Sequence, residues 1–550
     1  MPRLSMPASR RMRRRMVLVA VLGAALAICA TTLPLAPTAD TTGTSAISAA
    51  WPAGADGWAQ LRDPIERAAA ATQSTPPAWT YAATTTGAAL AWTACTETAL
   101  AGFDCGTLTV PLDWDSAGAQ RNRSTVDIAV ARHASTGTPQ ERIGSLFFNV
   151  GGPGLSGISS LPMMYGLIPA EVKARFDIVT WDPRGIGRSS GLQGCDDAVM
   201  ALPATGPVNW TRVYEKARAA KAAANRACAA ASANTAIINH MGTVAIVRDL
   251  DALRAAVGDP KLTYWAMSYG TRIGYTYALR YPAKVRAIIL DGSIDPNGSI
   301  EGLAQSEVSA DTALGFLFQL YPEAQAQYAS VRAELDRRVI ALPSGRIVTR
   351  WGFSGFLGEY AGSESSYGAL ARLVGYAHTA LFGTGSAVEA ALAVLDGVPF
   401  EQSISLGSAA FAVVNCADYP QRPTITAQNA LARSLRLQAP VHGWLNAFAD
   451  VSMCSGLRLP VEPVPADFGQ LAVPVLIIGS TRDAHTPYAW TVSMTRAFTS
   501  SRVVTYVGGK HVDYRAAQSE CVDDAVGAYL LDLALPEFDI ACQAEAPALR

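Results

Sequence analysis

Three residues in this chain have the types and order needed for acyl transfer by a serine: Ser268, Asp483 and His511. A serine hydroxyl is a weak nucleophile near neutral pH and needs a base to take its proton, and the base needs an acid to fix its tautomer. Ser268 sits in Tyr264–Thr271 (YWAMSYGT), where an apolar run stops at the serine and a helix-like segment follows. The pattern small-x-Ser-x-Gly between a buried strand and a helix forces a sharp turn that leaves the hydroxyl exposed over the sheet edge. Here Ala266 takes the first small position and Gly270 the last. Asp483 follows VLIIGSTR and His511 follows RVVTYVGGK, so each lies just beyond an expected strand end. His133, His240, His378 and His442 fall in other segments and read as surface or structural residues. His485 shares the loop of Asp483 and is badly placed to bridge acid and serine.

The tetrahedral intermediate of acyl transfer needs two donors aimed at its oxyanion. One is the amide after the nucleophile, here Tyr269. The other is expected from NVGGPG, a glycine-rich loop that follows a strand ending at Val150, and we assign it to Gly152. This loop is not a phosphate cradle, because no Gly-Lys-Ser/Thr follows it.

The elements that must position these residues are legible as alternation. Strand-like runs at Thr107–Leu112, Val126–Ala131, Gly144–Val150, Asp177–Trp181, Leu262–Met267 and Val285–Leu290 are interspersed with helical patterns. Among the latter, Met241–Val257 repeats apolar residues on one helix face, and Thr271–Tyr281 is a helix stopped by Pro282. This predicts an α/β fold with a mostly parallel sheet covered by helices. The rhythm stops over residues 292–472 and resumes with strands at Val473–Gly479 and Arg502–Val507. We therefore expect a core over residues 91–295 and 473–545, interrupted by a large, mainly helical cap insertion at 296–472. Residues 40–90, rich in Ala, Thr, Pro and Gly, read as a flexible lead-in with a short helix over 61–71.

Charge excludes one class of partner. Six arginines precede residue 16 and no acid precedes Asp40; without those arginines the chain carries 38 bases against 45 acids. No basic footprint for nucleic acid remains. Arg10–Arg15 followed by the apolar Met16–Ala30 reads as an export signal within residues 1–39, cleaved near Ala30 or Ala39 and too short for a membrane span. Lipid anchoring at Cys29 is the alternative to free secretion. The eight remaining cysteines are an even number in an exported chain, and sequence proximity suggests Cys95–Cys105, Cys195–Cys228, Cys416–Cys454 and Cys521–Cys542. With no Cys-x-x-Cys and no closely spaced histidine pair, we expect neither a metal nor a cofactor.

The motifs GGPG, WDPRGIGRS at Trp181–Ser189, YWAMSYGT, LDGSIDP at Leu290–Pro296 and the Asp-x-x-Thr-Pro of Asp483–Pro487 resemble those of α/β-hydrolase serine peptidases that include proline iminopeptidases and secreted tripeptidyl aminopeptidases. The resemblance covers about residues 90–545, and the cysteines and late segment are most similar to the tripeptidyl aminopeptidase branch. It implies an α/β-hydrolase fold with Thr486 on the acid loop and Asp182 and Arg184 in a structural turn. Val150 stands where the iminopeptidases have His, so a preference for proline does not carry over.

The expected function is a secreted, monomeric serine exopeptidase acting on peptides with a free N-terminus, through an acyl-enzyme on Ser268. A carboxylesterase or lipase on the same triad is the first alternative, and a non-catalytic binding protein on a hydrolase scaffold the second. An exopeptidase must recognise an ammonium, which calls for a shielded carboxylate. Asp418, near Cys416, is the expected anchor; Glu301, Glu307, Asp311, Glu359 and Glu364 are the other candidates.

Overall fold

The computed structural model describes residues 80–543 except 116–123, 196, 232, 402, 442, 465–470 and 517–518. The export segment, the helix expected over 61–71 and His442 lie outside the described residues. Within them, one sheet contains ten strands in a continuous path: β1 (Ala83–Thr85), β2 (Asp104–Pro111), β3 (Thr125–His133), β4 (Gly144–Asn149), β5 (Phe176–Trp181), β6 (Leu262–Met267), β7 (Val285–Asp291), β8 (Val475–Ser480), β9 (Ser501–Tyr506) and β10 (Ile540–Cys542). Their spatial order is β1-β2-β3-β5-β4-β6-β7-β8-β9-β10, and Thr93–Ala94 pairs with β2 at the side. Only β3 runs against its two neighbours on this path; the remaining pairs are parallel.

The central strands β4, β5, β6 and β8 are buried at every position, which is why they read as unbroken apolar runs. Both faces are covered. Along β6, Leu262, Tyr264 and Ala266 point into a core with the helices Thr243–Ala256 and Tyr269–Arg280. Trp265 and Met267 point into the opposite core with Gly157–Leu167 and Glu520–Asp532. Each fully buried large apolar side chain contributes about 1.5–3 kcal/mol, so these two layers fix the sheet firmly. Part of the expected flexible lead-in is tied down: Ala83–Thr85 pairs with Thr107–Thr109, and the Leu90 amide donates to Ala256 O at 2.8 Å.

Parallel register brings the carboxyl ends of the strands side by side. Asn149 pairs with Ala266, Met267 with Asp291, Asp291 with Ile478, and Ser480 with Tyr506. In open parallel sheets ligands bind beyond this edge. Between β7 and β8 lie mostly helices. Those over Val308–Leu320, Pro322–Leu335, Arg350–Tyr360, Tyr367–Phe382 and Ser386–Asp396 share a separate core around Leu317, Val331, Leu370 and Leu395. The helix Trp210–Ala230, which precedes β6, joins the insertion rather than the sheet: Trp210 meets Trp444 at 4.5 Å and Tyr214 stacks on Phe448 at 4.6 Å. All four cysteine pairings suggested by proximity are formed.

Candidate active site

Ser268 occupies the single residue between β6 and the helix Tyr269–Arg280, with φ 52° and ψ −124°. A non-glycine residue in this region is strained by about 1–3 kcal/mol and persists only where its surroundings hold it. Here its amide donates to Asp291 O at 2.9 Å, and its carbonyl accepts from Thr271. Gly151 abuts it so closely that a Cβ there would lie 2.9 Å from Ser268 Cβ and 3.0 Å from the Tyr269 nitrogen. The glycine loop and the serine turn therefore form one surface, with Gly152 next in the loop. As the first residue of its helix, Tyr269 has an amide without an intrahelical acceptor.

Beyond β8 and β9, Asp483 and His511 meet. His511 Nδ1 lies 2.9 Å and 3.1 Å from the two carboxylate oxygens, and both side chains are buried. Asp483 also accepts from the His485 and Thr486 amides and from Thr486 Oγ1 at 2.7 Å. Burial pushes its carboxyl up, but the charge of His511, its hydrogen bond, His485 and the Thr486 amide together hold it below the usual carboxylate range. Thr486 Oγ1 is 3.3 Å from His511 Nδ1, so this threonine orients acid and base together. The His485 ring contacts that of His511 edge-on at 4.8 Å. The cap fastens both loops: Glu364 accepts from Arg482 and from the Gly509 amide, Lys510 donates to Ser363, and Ala484 enters the cap core.

The other described histidines, His133, His240 and His378, make contacts elsewhere. His133 stacks on Tyr165, and His378 contacts Phe382. The carbonyl of His240 accepts from Arg184. Arg184 is fully buried against Asp249, and Asp182 accepts from Ser156, Ile158 and Arg188, which makes that turn a structural brace.

Asp418 has other work than holding an amine. One oxygen accepts from the Thr243 amide and the other from Thr243 Oγ1, with Arg272 at 3.3 Å, and the residue is 1% exposed. Thr243 Oγ1 in turn bonds Tyr269 Oη at 2.6 Å, so Asp418 braces the helix that begins at the serine. Of the other carboxylates, Asp311 accepts from the Val441 and Gly443 amides, and Glu364 is spent on the loops above. Glu301 and Glu359 are half-buried cap residues. Glu307 differs. Burial pushes its carboxyl up, while His485 and a hydrogen bond from Asn446 oppose the rise. Asp450, which the sequence reading missed, is raised further by burial and by Glu307 itself, with Lys221 opposing. Both carboxylates are half-buried and desolvated. His485, whose charge acts on Glu307, contacts the His511 ring. No local motif marks Asp450; only the cap packing brings it to Glu307.

A family model described as alpha/beta hydrolase fold matches residues 145–514. Among curated relatives, a tripeptidyl aminopeptidase of Streptomyces coelicolor is 28% identical over 80% of this chain and 83% of its own length. The serine protease Hip1 of Mycobacterium tuberculosis is 29% identical over 80% of this chain and 87% of its own length. A carboxylesterase B of the same species is 28% identical, covering 80% and 86%.

Proposed function

The chain belongs to the α/β hydrolase fold family, and on that premise we propose that it is a secreted serine aminopeptidase that releases short peptides from free N-termini. What supports this reading is the strained Ser268 turn and the Asp483–His511 pair, both of which meet the Asp291–Gly292 segment, together with the desolvated carboxylates of Glu307 and Asp450. In the first step His511 Nε2 takes the hydroxyl proton as Ser268 Oγ bonds the scissile carbonyl carbon. The resulting oxyanion is held by the Tyr269 and Gly152 amides. His511 then protonates the departing amine, the C–N bond breaks, and an ester on Ser268 remains. Water repeats the sequence: its proton goes to His511, its oxygen bonds the acyl carbon, and Ser268 leaves with the proton returned.

Peptidase rather than general esterase is favoured by the desolvated carboxyls of Glu307 and Asp450. Two carboxyls that repel one another in a desolvated place are stabilised by a cation between them, and the N-terminal ammonium of a peptide is such a cation. The cap closes over the strand ends, which suits attack near a chain terminus. Four disulfides suit an oxidising compartment, and no helix among the described residues is long and apolar enough to cross a membrane. The length of the released peptide is tested by trapping. The protein is mixed with free-amine peptide esters of one to four residues and quenched in acid, and adducts are mapped by mass spectrometry. The reading expects a tripeptidyl adduct on Ser268. An adduct at another residue, or acylation only by N-blocked esters, refutes it.

A further inference from the structure

Asp291 and Gly292, in the LDGSIDP segment at the end of β7, meet the Ser268 turn, the turn after His511 and Thr486 of the acid loop. The main-chain oxygen of Asp291 accepts the Ser268 amide at 2.9 Å. Its carboxylate accepts the Asp513 amide at 2.9 Å and the Tyr514 amide at 3.1 Å, with Trp265 Nε1 at 3.4 Å, and the residue is fully buried. Gly292 follows at φ +68°; a Cβ there would lie 3.2 Å from Thr486 Oγ1, 3.4 Å from His511 Cε1 and 3.5 Å from Val512 Cγ2.

The turn after His511 does not hold itself. Val512 has φ 67°, a conformation that a β-branched residue adopts only under constraint. The two amides directly after it are the ones the Asp291 carboxylate binds. We propose that Asp291 and Gly292 are positioning residues that set Ser268 and His511 in mutual register. Asp291 ties the nucleophile's amide and the turn after the base to one residue, and Gly292 leaves the space that the imidazole edge occupies. This rests on reading Ser268 as nucleophile and His511 as base.

The charge of Asp291 also reaches the base. Burial pushes its carboxyl up to about 6; the Asp513 and Tyr514 amides, Trp265 and the charge of His511 oppose the rise. His511 is faced by Asp483 and His485 from the loop after β8, by Asp291 from β7, and by Asp513 and Lys510 from its own loop; Glu307 of the cap acts on His485. Burial and the repulsion of Asp291 raise Asp513 well above the usual range. The charges of Asp291 and Asp483 both act on His511 and favour the imidazolium, so neutralising Asp291 makes His511 easier to deprotonate.

The test compares wild-type protein with Asp291→Asn and Gly292→Ala. It measures the pH dependence of inactivation by a fluorophosphonate, with the adduct mapped, and kcat and KM for a small activated ester. Asn keeps one acceptor and loses the charge, so both rates are expected to fall about 10- to 100-fold with KM little changed, and the acid limb moves to lower pH. Gly292→Ala puts a side chain at a positive φ and crowds Thr486 Oγ1, which sits beside the imidazole, without altering charge, so the rates fall and the limb stays. This second variant keeps the inference testable if Asp291→Asn does not fold. Folded variants that react at wild-type rates, a loss confined to KM, or an unmoved acid limb in Asp291→Asn overturn it while leaving the triad standing. A wild-type protein that is not labelled at Ser268 overturns the triad reading and this inference together.

Discussion

Replacing Ser268 by Ala removes one oxygen from a side chain that, on the proposed reading, contributes chemistry and little packing. Turnover should fall on the order of 10⁴-fold or more with the thermal midpoint unchanged, and His511→Ala should do the same. His485→Ala should keep the triad chemistry; if it were inactive while His511→Ala turned over, the base would be reassigned. Asp483 gives this cluster a pH signature. Its folded carboxyl lies below the ordinary range, so its stabilisation is present above the unfolded-state value and is lost as pH falls through the folded one. The midpoint gap between wild type and Asp483→Asn should therefore be open at pH 7 and close in strong acid. A gap independent of pH would show that the carboxylate is not held as described. Glu307→Gln tests the proposed ammonium contact. Losing one charge-assisted hydrogen bond costs about 1.5–3 kcal/mol, so kcat/KM for free-amine peptides should drop roughly 10- to 150-fold while N-blocked esters change little. Equal losses on both would make Glu307 structural.

Helices and strands explain why Ser268, Asp483 and His511 stand out in the sequence and Asp450 does not. Leu262–Met267 is a strand as read, because a strand buried on both faces must be apolar throughout, and the run ends where the serine turn begins. Asp483 and His511 were found by the same logic, as polar residues just past buried strands. Proximity to a disulfide says nothing about where the Asp418 carboxylate points. It lies at the end of the helix Ala409–Asp418 and braces Thr243 and Arg272 on two other helices. Asp418→Asn should accordingly destabilise the protein by about 1–3 kcal/mol, seen as a lower denaturation midpoint, and should reduce ester and peptide turnover together. Selective loss of peptide turnover would restore it as the amine anchor. Asp450 could not be read at all, since the helix Gly443–Ser452 carries no motif and meets Glu307 only through tertiary packing.

At the scale of the whole molecule, the proposed reading has the sheet edge supply the chemistry and the inserted helices select what reaches it. The sequence pattern exposes the first, because alternating buried strands and amphipathic helices leave a periodic trace. It exposes the second only as a loss of rhythm; that the helix Trp210–Ala230 joins the cap from before β6 depends on contacts among Trp210, Tyr214, Trp444 and Phe448 that no local period encodes. Glu364 of the inserted helices also ties down the loops that carry Asp483 and His511, through Arg482 and Gly509. The most direct test of the account is kcat/KM for a matched pair of tripeptide amides, one with a free N-terminus and one acetylated, measured with wild-type protein and with Ser268→Ala. The account predicts that wild type cleaves the free form at least about 10-fold faster, from the same ammonium contact, and that the variant cleaves neither. Equal cleavage of the two forms, or activity that survives in Ser268→Ala, would contradict it.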